Sequence, residues 1–224
     1  MRMSANRFKA AYVALAALDT ALSASSRPLA HKARLLTKPL LMPALSASLA
    51  TAPGDSSARV PVLAAQAAGW VGDVALLSER RTPFLVGTAA FAAGHGAYLA
   101  GFVPRDRHDV RLVDDPRARV LAGVWAASAP VVAWRARKSG VGPAVAGYSL
   151  LLTSMAVAAT RLDPSLPASG RRLAAGGALL FLASDSLLGL RKFVLDDPSP
   201  ALEGAVMATY TSAQLLLSEG AARL

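Results

Sequence analysis

Residues 83–103 read PFLVGTAAFAAGHGAYLAGFV, without one Asp, Glu, Lys or Arg; Arg80 and Arg81 precede the run and Arg105 follows it. At ~1.5 Å rise per residue such a run, coiled as a helix, covers a hydrocarbon core of ~30 Å. Apolar residues occupy all sides of it, as expected of a helix surrounded by lipid or protein. One face is distinct: Phe84, Gly87, Phe91, His95, Tyr98 and Phe102 recur every three or four residues. Outward from this run, similar low-charge stretches follow one another along the chain, over residues 8–25, 35–51, 60–78, 83–103, 120–134, 141–160, 173–190 and 201–218. Short polar separators divide them, such as Arg27 to Arg34, Pro53-Gly54-Asp55, Glu79-Arg80-Arg81 and Asp196-Asp197-Pro198. The longest, Pro104 to Arg119, is dense in Arg and Asp.

Composition agrees with this pattern. The 224 residues are 54% hydrophobic and 17% charged, where soluble domains carry about a quarter charged residues. Mean hydropathy is +0.40. Length alone would allow one or two soluble domains, but charge-free runs of span length recurring from end to end predict an all-α integral membrane protein. The expected architecture is eight transmembrane helices in one bundle, forming a single polytopic domain over residues 1–224. Apolar content this high excludes intrinsic disorder. There is no cysteine, which excludes disulfides, thiolate catalysis and cysteine-bound zinc. The net charge of +10 sits in short loops between apolar runs, so the basic residues are expected at lipid headgroups. Membrane lipids are the implied partners, and no nucleic acid, because no aromatic-rich basic face is present.

Arg2, Arg7 and Lys9 precede the first apolar run, which is nearly of span length and is expected to stay as an uncleaved helix. Loop Arg and Lys residues favour the N-terminal face by a small margin, which predicts a cytoplasmic N-terminus. An Ala- and Arg-rich composition is associated with bacterial coding sequence, hence with an inner membrane.

Charges inside a bilayer each require an explanation. Asp73 and Asp185 lie inside predicted spans, as do Lys38 and His95. Asp19 also does, without an evident partner, and is expected at a loop edge outside any site. Lys38 follows Arg34 by four residues, while Asp73 precedes Glu79 by six and Asp185 precedes Arg191 by six. At ~1.5 Å per residue all three lie roughly 6–9 Å below one face. They meet if the second, third and seventh spans are neighbours. His95, Tyr210 and Gln214 lie deeper. Stripes at helical spacing, Gln66 to Leu77 through Gly69 or Trp70 and Val206-Tyr210-Gln214-Leu217, would face inward with them. Gly87 and Gly94 allow close helix contact.

Asp73 and Asp185 are 112 residues apart, as are Tyr98 and Tyr210. This offset predicts a four-plus-four repeat in one orientation. Two readings of the acids stand side by side. In the structural one, Lys38 neutralises one carboxylate and backbone or hydroxyl donors hold the other. In the catalytic one, two acids beside one base bind protons with different affinity and supply a donor and an acceptor. No second buried histidine joins His95, so no metal is expected. No phosphate-binding Gly loop or nucleophile elbow is present.

These residues, in order, resemble the YhhN-like proteins, which include the eukaryotic transmembrane lysoplasmalogenases. The matching elements are Lys38-Pro39 with Met42-Pro43, Gly72-Asp73 with Leu76-Leu77, Phe84-x-x-Gly87 with Phe91, His95 and Tyr98, Tyr148 with Met155, Phe181-x-x-Ser184-Asp185 through Phe193, and Tyr210 with Gln214. The resemblance covers about residues 10–220; the Arg/Asp loop before Arg119 falls outside the family pattern. It implies an eight-helix membrane enzyme without a cofactor. Its substrate would be a lysophospholipid, the lysoplasmalogen, whose vinyl-ether bond is hydrolysed to a fatty aldehyde and a glycerophospho-base. Asp73 and Asp185 are the expected catalytic pair, with Lys38, His95, Tyr98, Tyr148, Tyr210 and Gln214 contacting substrate. Two other classes fit the same pocket: a hydrolase of another lysolipid, and a non-catalytic lipid-binding or transport protein.

Overall fold

A computed structural model describes residues 2–54, 56–78 and 80–224; Asp55 and Glu79, both read above as loop acids, lie outside them. Among the described residues there are eight α-helices and no strand. They are α1 (Arg2–Ser23), α2 (Pro28–Ala50), α3 (Arg59–Ala75), α4 (Arg81–Phe102), α5 (Pro116–Ala136), α6 (Gly142–Thr160), α7 (Ala168–Gly189) and α8 (Pro200–Ala221). A π-helical turn, Leu190–Val194, continues α7.

Local chemistry starts and stops these helices. Proline occupies the first turn of α2, α5, α6 and α8, where its missing N–H costs nothing. Asp115 caps α5, accepting from the amides of Arg117 at 2.8 Å and Ala118 at 3.3 Å. Gly140, at φ +68°, makes the left-handed turn between α5 and α6. Inside α2, Pro43 lacks the N–H that would bond the carbonyl of Pro39. Trp70 of α3 fills the place, donating its indole N–H to that carbonyl at 2.9 Å.

Three helical stretches, Arg81–Arg105, Gly142–Thr160 and Ala168–Val194, are long and apolar enough to cross a bilayer. Only 33%, 39% and 28% of the residues in their apolar segments are buried, so each keeps apolar residues on its outer side. Large exposed residues such as Leu29, Leu36, Val60, Val120 and Trp134 extend that outer surface. Of the eight expected spans, these three meet the test of length and composition. The rest mix apolar residues with charge, as α2 does with Arg34 and Lys38, or are short, as is α3 with 17 residues.

Packing closes a ring. Its neighbours run α1, α2, α3, α4, α6, α7, α8 and back to α1, and α5 lies outside against α6. The expected adjacency of the second, third and seventh helices holds for α2 and α3; α7 packs chiefly on α8 and α6. Glycine permits the tightest seams. A Cβ at Gly72 would sit 2.5 Å from the Phe91 ring, and one at Gly177 2.8 Å from the Leu217 backbone. Under the 112-residue offset, α1–α2, α2–α3 and α3–α4 have counterparts in α5–α6, α6–α7 and α7–α8. The correspondence stops at the fifth helix, because α1 packs on α8 whereas α5 does not pack on α4 in the same way.

Three sequence expectations are corrected. First, α2 begins at Pro28, two turns before the expected 35, so Arg34 is a buried helical residue. Second, Asp19 is no loop edge. It is fully buried in α1, accepts from Thr37 Oγ1 at 2.6 Å and lies 3.5 Å from Arg34 Nε. Third, Arg161 is no headgroup anchor. It is 2% exposed, bonds Asp106 and Asp115, and donates to the Val110 carbonyl. With Arg107 on Asp109 and Arg111 on Asp114, much of the charge of that loop is neutralised internally.

Candidate functional site

The polar residues of the bundle form two arms. The first ends at Asp73, near the C-terminus of α3 and 1% exposed. Lys38, on the facing side of α2, holds its Nζ 3.5 Å from Asp73 Oδ1. Tyr210 of α8 donates to Asp73 Oδ2 at 2.6 Å. Behind Tyr210 the chain continues: Gln214 Nε2 donates to the Tyr210 oxygen at 3.4 Å, and Tyr98 donates to Gln214 Oε1 at 2.7 Å. One carboxylate thus fixes three polar side chains from α4 and α8 in sequence.

The second arm ends at Asp185 of α7, which is half-buried. Tyr148 of α6 donates its hydroxyl to Asp185 Oδ2. With that proton committed, the Tyr148 oxygen accepts from His95 Nε2 at 3.0 Å. His95 is 1% exposed and its Nδ1 has no hydrogen-bond partner. Among the described residues no cation pairs with Asp185. Phe91 and Phe181 separate the arms, edge-on to Tyr210 with centroids 5.9 Å and 5.5 Å away, and Phe181 meets the His95 ring at 4.9 Å.

Both acids line one cavity of about 610 Å³, a volume suited to a small amphiphile. Lys38, Tyr148 and Tyr210 share its wall. His95, Tyr98 and Gln214 are set one layer back and reach the cavity through the two lining tyrosines. Apolar side chains of α5, α6 and α7, including Leu121, Val124, Leu152 and Leu182, form the remainder. The predicted inward stripes are observed: Gln66, Gly69 and Asp73 on α3 and Val206, Tyr210, Gln214 and Leu217 on α8 are buried, while Trp70 is 43% exposed. Among the described residues no three His, Asp or Glu side chains converge as a metal site.

Sequence reasoning missed one group. Arg34 and Arg191 both line the cavity and both bond Glu203, the first acid of α8. Arg34 and Arg191 were read as loop cations. The signal available was spacing: Arg34 stands one helical turn before Lys38, on the same face of α2.

No curated protein and no solved structure matches the chain. A family model does, over residues 33–221, a stretch that contains both arms and every cavity residue named above. The chain is a member of the YhhN family.

Proposed function

We propose that the protein is a membrane-embedded lysoplasmalogenase, an ether hydrolase that cleaves the vinyl-ether bond of a lysophospholipid. One observation carries the reading. Two aspartates line a single, largely apolar cavity, and their partners differ: a cation and a phenol for Asp73, a phenol alone for Asp185. Membership of the YhhN family is consistent with it.

Vinyl ethers hydrolyse when the alkene carbon accepts a proton, which leaves an oxocarbenium ion. In the proposed reaction Asp185 gives that proton, since it faces the cavity and carries no counter-cation. Asp73, ionised beside Lys38, stabilises the positive charge and takes a proton from the attacking water. The resulting hemiacetal collapses to a fatty aldehyde and a glycerophospho-base. This division of labour follows that of two-carboxylate glycosidases, which pass through a similar cation. His95 orients Tyr148, and Tyr98 and Gln214 orient Tyr210. All eight helices are placed in the bilayer in this reading, with the N-terminus cytoplasmic and the cavity opening at the opposite face.

The test is mass-spectrometric. Purified protein in mild detergent receives a lysoplasmalogen or the matching acyl lysophospholipid, beside an Asp73→Asn/Asp185→Asn variant. The expected product is fatty aldehyde from the vinyl ether alone, absent in the variant. Fatty acid from the acyl lipid would replace the proposal with an ester hydrolase. No product from either, with both proteins folded, would leave lipid binding or transport.

A further inference from the structure

The ion bridge at the cavity wall has a composition of its own. Glu203 presents each carboxylate oxygen to a different arginine: Oε1 to Arg34 of α2, and Oε2 to Arg191 of the π-helical turn at 2.7 Å. All three side chains line the cavity, and neither arginine uses its Nε in a hydrogen bond. Asp19 balances Arg34 from behind and does not line the cavity. The bridge therefore shows the cavity two guanidinium groups and one carboxylate. Arg34 stands one turn along α2 from Lys38, a helical pitch of ~5.4 Å. That separation is comparable to the reach of a glycerol backbone between its phosphate and its far ether oxygen.

Building on the lysolipid reading above, we propose that Arg34, Arg191 and Glu203 are the recognition site for a zwitterionic phosphodiester headgroup. The two guanidiniums turn to the phosphate, for which their planar donor forks are suited. Glu203, released from them, receives the ammonium group. Each charge exchanges one opposite partner for another, so no buried ion is left unpaired. An anionic lipid with phosphate and no ammonium places its charge beside an uncompensated Glu203 and is disfavoured. A lipid without phosphate leaves the bridge closed and gains nothing from it.

Binding to the full-length protein in detergent tests this independently of turnover. The probes are acyl lysophosphatidylethanolamine, lysophosphatidic acid and monoacylglycerol of one chain length. Arg191→Ala, which leaves Glu203 paired with Arg34, should weaken both phosphate lipids about tenfold and leave monoacylglycerol unchanged. Glu203→Gln should reverse the preference, tightening lysophosphatidic acid relative to the ethanolamine lipid. Equal effects of Arg191→Ala on all three lipids, or no effect on any, would overturn the proposal. So would an unchanged lipid preference in Glu203→Gln. If the expected binding pattern appears while vinyl-ether turnover does not, the headgroup site stands and the hydrolase reading fails.

Discussion

Asp73 and Asp185 occupy matching places in the two halves of the chain and both accept from a tyrosine, but their surroundings differ. Asp73 is 1% exposed, with Lys38 against one oxygen and Tyr210 against the other. Asp185 is the more exposed and has Tyr148 alone, which His95 bonds in turn among aromatic rings. In the proposed reaction this difference lets one residue type serve two tasks. A cation held beside a carboxylate balances its charge. An accessible carboxyl without a cation is placed to transfer a proton.

The sharpest way to break this contrast is to remove the cation. Lys38→Met leaves Asp73 buried and unpaired, and should cost about 3–5 kcal/mol of stability, read by thermal unfolding. Adding Asp73→Asn should restore most of it, whereas adding Asp185→Asn should not. If the Asp185 change rescues equally, the two acids share Lys38 and the contrast disappears. Turnover comes next. Asp185→Asn and Asp73→Asn should each lower it by at least ~10²-fold; near-normal activity in either folded variant removes that acid from the chemistry. A smaller effect is expected from the tyrosines. Tyr148→Phe should lower kcat about tenfold, the worth of one hydrogen bond to the carboxylate that Asp185 becomes as its proton leaves. Tyr210→Phe should lower it less, because Lys38 still holds Asp73.

A third carboxylate, Asp115, calibrates the pair from outside the apolar segments. Burial alone would raise its pKa, but the amides of Arg117 and Ala118 and the Arg161 charge outweigh burial and hold it below the ordinary carboxylate range. Its contribution is therefore present above the unfolded value of ~3.9 and is lost as pH falls through the lower folded value. Asp115→Ala should cost ~1 kcal/mol at neutral pH, as loss of a helix cap does. The gap to the native protein should close under acid, with lipid binding unchanged throughout. A binding defect in Asp115→Ala would mean that the loop also supports the cavity.

Much of this arrangement was legible in the sequence because it rests on periodicity and on rarity. Eight apolar runs predicted eight helices, and Lys38, Asp73 and Asp185 stood out as charges where charge is costly. The exceptions share one cause. Arg34 and Asp19 were misplaced together, because Pro28 starts α2 two turns early and carries Arg34 into the bundle, where Asp19 becomes its partner. In sequence Glu203 is one acid in the first turn of a helix, where acids are common; only the approach of α2 and the π-helical turn gives it two arginines. The layering of Tyr98, Gln214 and His95 behind the lining tyrosines was equally invisible, since helical spacing assigns a face and says nothing of which side chain stands in front.

The position of α5, outside the ring and held mainly by α6, bears on how products leave. Its residues Val124, Ser128 and Val132 line the cavity, and α5 also meets the π-helical turn that follows α7. The reaction proposed here makes one product that dissolves in oil and one that dissolves in water. In the reading proposed above, α5 alone would stand on that side between an aldehyde in the cavity and the surrounding lipid. An aldehyde that left on that side would leave the ring of seven helices closed.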